Sequence, residues 1–155
     1  MRSSKEAFTT YMRRAFELAI TAGERGNPPF GAVLVNKGRI VLEAENTTNT
    51  DLDFTRHAEL NLVVKASREY SREFVEDSIL IASTAPCPMC SYAMWSAGIR
   101  NVIYGVSYET YARLIPGKSR YIKCEQIYKL LQTDAEITGG ILEEEGIDVY
   151  KHWPK

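Results

Sequence analysis

Cysteine is scarce. The 155 residues hold three, at positions 87, 90 and 124, an odd number with two of them only three apart. That pattern excludes an ordinary disulfide framework, and in a reducing compartment so close a pair is more often a metal site or a redox pair. Long apolar runs are missing too. No stretch approaches the roughly 20 consecutive apolar residues of a membrane-crossing helix. The opening residues lead straight into an amphipathic pattern and lack the apolar core of a signal peptide, so a cytoplasmic protein is expected. Nor does charge of one sign dominate: nineteen Lys and Arg stand against twenty Asp and Glu, a net charge of −1. Proteins that hold nucleic acid by its phosphates usually carry a basic surplus, because neutralising phosphates and releasing counterions drives that binding. A polynucleotide partner is therefore disfavoured. There is no internal repeat, low-complexity tract or long linker. What remains is an ordinary globular composition, 45% apolar and 25% charged, long enough to bury a core without staples. One domain over residues 1–155 is expected.

Met12, Ala15, Phe16, Ala19 and Ile20 recur at three- and four-residue steps while Arg13, Arg14 and Glu17 fall elsewhere around the wheel. Residues 5–22 thus read as a helix with one face on a core, ended by Gly23, Gly26 and the Pro28-Pro29 break. Two apolar runs, 32–35 and 40–42, flank Asn36-Lys37-Gly38 and form a hairpin signal. A polar loop over 46–55 follows, then a buried helix over 57–66. Ile79-Leu80-Ile81-Ala82 is a short continuous apolar strand, and 86–98 reads as a helix with Pro88 suited to its first turn. Val102-Ile103-Tyr104 marks another strand within 101–106. Further on the pattern gives a helix over 125–131, a strand near Ile137 and a short last helix over 143–152. Strands alternating with helices indicate an α/β three-layer sandwich, with the hairpin adding an antiparallel pair.

Two local patterns carry chemistry: His57-Ala58-Glu59, and Pro86-Cys87-Pro88-Met89-Cys90. Alone, a histidine is most often a surface or satisfied core residue, and a C-x-x-C can be a thioredoxin-like redox pair. Together they offer one imidazole and two thiolates, three ligands that zinc prefers. Three protein ligands with a fourth position left for water is the arrangement of catalytic zinc, whereas structural zinc usually has four. Cys124 and His152 are the other Cys and His residues, and either can close the site in the structural reading. Cys87 and Cys90 lie three apart at a helix start, so they share a side, and the positive end of a helix favours thiolate. Glu59, two residues from His57, can reach water at such an ion without being a ligand. Its plain alternative is a solvated first-turn glutamate.

The H-A-E and P-C-x-x-C pair resembles the cytidine/deoxycytidylate deaminase superfamily, whose zinc nucleobase deaminases carry an H-x-E…P-C-x-x-C signature. Pro29-Phe30-Gly31-Ala32-Val33, Asn46 and the Pro86–Cys90 run are similar to bacterial guanine deaminases and tRNA adenosine deaminases. The likeness runs from about residue 12 to 106. It implies a mixed five-stranded sheet between helices, assembled as a homodimer or higher oligomer. It also implies one Zn²⁺ held by His57, Cys87 and Cys90, with Glu59 shuttling the proton. Asn46 would hydrogen-bond the base, and Phe30, Gly31 and Ala32 would line its pocket. The implied activity is hydrolytic deamination of a free nucleobase or nucleoside, with guanine or a related aminopurine ahead of cytosine. Alternatives are adenosine deamination in tRNA, a non-catalytic zinc-stabilised subunit, and a C-x-x-C oxidoreductase. The chain departs from the pattern at Ala85, where relatives commonly have Glu, and at Arg56, where a small residue is frequent. The segment with Tyr108, Tyr111, Arg113 and Tyr121 matches neither branch. These departures bear on the substrate, not on the reaction.

Overall fold

A computed structural model of the chain describes residues 4–117 and 122–155, so Tyr121 lies outside the described residues. The hairpin is β1 (Gly31–Asn36) and β2 (Arg39–Glu45), paired antiparallel with one irregularity between Leu34 and Val35. Its two-residue turn needs positive φ at both positions, and Lys37 (49°) and Gly38 (76°) supply it. Such a turn matches the twist of the flanking strands. Strand β3 (Ile79–Thr84) runs antiparallel to β1, and β4 (Asn101–Val106) runs parallel to β3. A short edge strand, β5 (Glu136–Thr138), runs parallel to β4. The order is β2-β1-β3-β4-β5, a mixed five-stranded sheet.

Strand alternation sends side chains to opposite faces, and each face is covered. Helix α1 (Ser4–Glu24) packs Met12, Ala15, Phe16 and Ala19 on Val33, Val35, Ile81 and Ile103. On the other face lie α2 (Ala58–Glu69), α3 (Arg72–Glu76), α4 (Pro88–Ala97) and, after α5 (Tyr108–Leu114), α6 (Cys124–Leu130). Their Leu62, Val75, Met94 and Tyr128 meet Leu34, Leu80 and Val102. Strand β3 is buried on both faces, which explains its unbroken apolar run. The chain ends in α7 (Glu143–Ile147) and a 3₁₀ turn, Asp148–His152, both beside α1. The last helical signal is therefore two pieces, not one.

Two elements were not expected. Helices α3 and α5 are short and begin at a serine cap: Ser71 Oγ accepts from Phe74 N, and Ser107 Oγ accepts from Thr110 N. Caps, not periodicity, define them. No helix among the described residues is long and apolar enough to cross a membrane.

Gly31 marks a close approach between layers. A Cβ there would lie 2.7 Å from both Ala19 N and Leu18 Cβ on α1. The neighbours include helix backbone, which cannot rotate away. Gly31→Ala is expected to destabilise the chain by about 1–3 kcal/mol and lower its thermal midpoint by roughly 2–10 °C. Calorimetry on the variant checks this, and an unchanged midpoint contradicts it.

Candidate active site

Parallel strands present a crevice beyond their carboxyl ends, and the candidate site sits there, at the ends of β3 and β4. Two helix starts meet in it. His57 is the N-cap of α2, extended at φ −67° and ψ 156°, and its carbonyl accepts from Asn61 N at 2.9 Å. Asn61 also anchors this turn to the end of the hairpin, donating from Nδ2 to Glu45 O at 2.9 Å and Thr47 Oγ1 at 3.0 Å. Cys87 is the N-cap of α4, its Sγ accepting from Cys90 N at 3.5 Å. Pro88 occupies the first turn, where a missing N–H leaves nothing unpaired. Gly98, with φ at 95°, closes the helix.

His57 Nδ1 lies 3.5 Å from Cys87 Sγ and 3.6 Å from Cys90 Sγ. All three donor atoms lie within 4.8 Å of one another. A tetrahedral zinc ion has Zn–S near 2.3 Å and Zn–N near 2.0–2.1 Å, which puts N and S about 3.5–3.6 Å apart. The donor set and its spacing therefore fit zinc. The two candidate fourth ligands stand elsewhere. Cys124 is buried on α6, where the Ser91 hydroxyl hydrogen-bonds it and burial pushes its thiol up to about 12. His152 lies against Gly23 of α1, on the opposite side of the sheet. Among the described residues, neither joins the three-residue group.

The sulfur pair is electrostatically divided. Cys87 is pulled down to about 4, first by the hydrogen bond from the Cys90 thiol and further by His57, against the opposing effect of burial. Cys90 is pushed up, because it is the member that keeps the shared proton and it is buried. Glu59 sits two residues along α2 at 5% exposure. Burial, and then the charge on the Cys87 sulfur, pushes its carboxyl up to about 7.

A cavity of about 210 Å³ opens over these groups. Its polar wall holds His57, Glu59, Cys87, Asn46, Thr48 and Thr84, and its apolar wall holds Pro28, Phe30, Ala85, Tyr108, Tyr111 and Trp153. Asn46 is buried, and its Oδ1 accepts from Thr48 N and Thr48 Oγ1, both at 2.9 Å. Its side chain thus caps the loop while lining the cavity, and among the described residues its Nδ2 meets no protein acceptor. Phe30 meets Tyr111 edge to face at 5.8 Å. Gly31 and Ala32 are buried in β1 behind Phe30 and are not among the lining residues. Gly31 N donates to Ser83 Oγ at 3.0 Å. The sequence departures become concrete, with Tyr108 and Tyr111 of the third on the cavity wall. Ala85 lines the cavity, while Arg56 is turned to Asp53 at 3.1 Å in the loop before α2. Thr48, Thr84 and Trp153 carry no local signal that ties them to this site.

A mixed sheet in this order, with two helix starts converging above its parallel strands, is the architecture of the cytidine deaminase-like α/β enzymes. Residues 5–106 match the family model described as the cytidine and deoxycytidylate deaminase zinc-binding region, and the chain belongs to that family. It is 31% identical over 148 residues to "Probable cytosine deaminase" of Schizosaccharomyces pombe, across 91% of this chain and 88% of the relative. It is 38% identical over 102 residues to guanine deaminase of Bacillus subtilis, across 64% of each, just under two thirds of that relative. A structure from a study of A-to-I editing by tRNA:A34 deaminases superposes with a TM-score of 0.73 at 28% identity, covering 91% of this chain and 99% of that one. These three proteins are described as deaminases of different substrates.

Proposed function

We propose that residues 1–155 act as one zinc-dependent deaminase domain that hydrolytically removes the amino group from a free nucleobase or nucleoside. Guanine or a related aminopurine is the preferred substrate, ahead of cytosine. The observation that carries this reading is Glu59, a buried carboxylate lining the same cavity as His57 and Cys87. A purely structural metal site has no use for it.

His57 Nδ1 and the sulfurs of Cys87 and Cys90 would hold the ion. Bound zinc supplies Lewis-acid chemistry, lowering the pKa of water toward about 7 so that a nucleophile exists at neutral pH. Glu59 does the proton work. Its carboxylate takes a proton from water as oxygen adds to the ring carbon bearing the amino group. It delivers that proton to the ring nitrogen, then takes the second proton from the hydroxyl now on the carbon and passes it to the departing amine. The carbon–nitrogen bond breaks, ammonia leaves and a carbonyl remains. Asn46 donates from Nδ2 to the base, and Phe30 packs against its ring. Gly31 and Ala32 act from behind, through the position of β1. The aromatic wall excludes water from the reacting face.

The cavity is smaller than the roughly 300–1,000 Å³ of pockets for drug-sized ligands, which suits a single base. The near-neutral charge argues against a polynucleotide as the main substrate. The enzyme is proposed to work in the cytoplasm as a homodimer or larger homo-oligomer.

Ammonia release from guanine, adenine, cytosine, their nucleosides and tRNA tests the substrate assignment. Guanine is expected to show the highest kcat/KM. Turnover confined to tRNA adenosine overturns the assignment, and cytosine as the fastest substrate reverses its order. Asn46→Ala is expected to raise KM about ten-fold or more, since it removes a base contact. It also deletes two loop hydrogen bonds worth roughly 0.5–1.5 kcal/mol each. Steady-state kinetics beside a melting curve separates the two effects.

A further inference from the structure

An aromatic cluster at the cavity end of the sheet is not explained by the proton chemistry. Phe30 meets Trp153 at 5.6 Å with an interplanar angle of 88°. Tyr150 stands among them, 6.4 Å from Phe30, 5.7 Å from Tyr111 and 6.3 Å from Trp153. Phe30, Tyr111 and Trp153 line the cavity, whereas Tyr150 does not. Yet Tyr150 touches all three. Its hydroxyl lies 2.6 Å from Thr84 Oγ1, and Thr84, the last residue of β3, lines the cavity. The Trp153 N–H donates to Tyr150 O at 3.1 Å, so the backbone of the two residues is linked as well. The ring of Tyr150 also packs both on the α1 side of the sheet and in the cluster around Val106. One side chain thus connects the end of the chain to the wall that follows β3.

We propose that Tyr150 is a positioning residue for substrate recognition: through Thr84 it fixes Trp153 as the aromatic wall on which the bound base packs. This rests on the nucleobase reading of the site. Planar bases stack on aromatic faces irrespective of their hydrogen-bonding edges, so such a wall sets affinity and leaves the choice of base to the polar groups. A tyrosine kept only for packing needs its ring. Here the hydroxyl is spent on a residue of the cavity wall, and phenylalanine in its place keeps the ring and loses that bond.

The chain has two tryptophans, Trp95 and Trp153. In a Trp95→Phe background, fluorescence therefore reports Trp153 alone. Titrating the purified zinc-loaded protein with guanine and with cytosine is expected to quench it saturably. Adding Tyr150→Phe should weaken that binding roughly three- to ten-fold, the scale of one lost hydrogen bond. It should raise KM by the same factor, with kcat held within about two-fold. Read by KM, since they carry no reporter in that background, Trp153→Ala should lose more and Trp153→Phe should recover part of the loss. A merely structural tyrosine lowers the melting midpoint and leaves the quenching curve and KM unmoved, which overturns the proposal. So does the absence of quenching by a base that the protein deaminates. Quenching without ammonia release from any base sinks the deaminase reading and leaves the wall standing. If neither is seen, both fall.

Discussion

Glu59→Gln is expected to keep one zinc per chain and to lose ammonia release by about 10²–10⁴-fold, the range assigned to a positioned proton-transfer group. Glutamine matches the shape of the carboxylate but cannot take a proton from water. Glu59 is buried and is not in the His57-Cys87-Cys90 group, so the exchange removes none of the three metal donors, although its side chain hydrogen-bonds Cys90. An amide in that position removes a charge from a buried place, so the melting midpoint should hold or rise. Metal analysis and turnover on the same sample check both halves. Full activity in this variant removes Glu59 from the mechanism, and loss of zinc reassigns it as a ligand.

The three cysteines should separate sharply. Cys87→Ala and Cys90→Ala are each expected to abolish stoichiometric zinc and turnover together, because either change leaves two protein ligands where catalytic zinc takes three. The loss should exceed the roughly 10–100-fold reduction in metal affinity typical of changes in a ligand's supporting partners. Cys124→Ala is the control. Cys124 is as buried as Cys90 and shares its core cluster, but it lies outside the donor group. Removing its sulfur should therefore affect stability by a cavity effect, about 1–3 kcal/mol, with zinc and activity retained. Zinc loss in Cys124→Ala contradicts the three-ligand site.

What could be read from the sequence, and what could not, follows from how far apart in the chain the partners lie. Cys87 and Cys90 lie three apart at a helix start, so spacing alone places them on one side, and Glu59 follows His57 by two residues in one short motif. The mixed sheet was legible for the same reason: each strand is an unbroken or alternating run bounded by Gly, Pro or polar loops. Helices α3 and α5 escaped notice because a serine cap on five or seven residues leaves no periodicity to detect. Trp153 was invisible as a wall residue, since nothing local links it to Phe30 more than a hundred positions earlier. Gly31 and Ala32 share a motif with Phe30, yet β1 turns inward immediately after the phenylalanine and buries both. Asn46 shows a residue with two uses. Its oxygen holds the loop, as asparagine commonly does, and its nitrogen is left for the cavity.

The proposed chemistry depends on an ion held by one nitrogen and two sulfurs of the protein. X-ray absorption at the zinc edge on the purified chain measures that shell directly. The expected shell is two sulfur scatterers near 2.3 Å and two nitrogen or oxygen scatterers near 2.0–2.1 Å. A third sulfur, or a preparation that takes up no zinc at all, contradicts it.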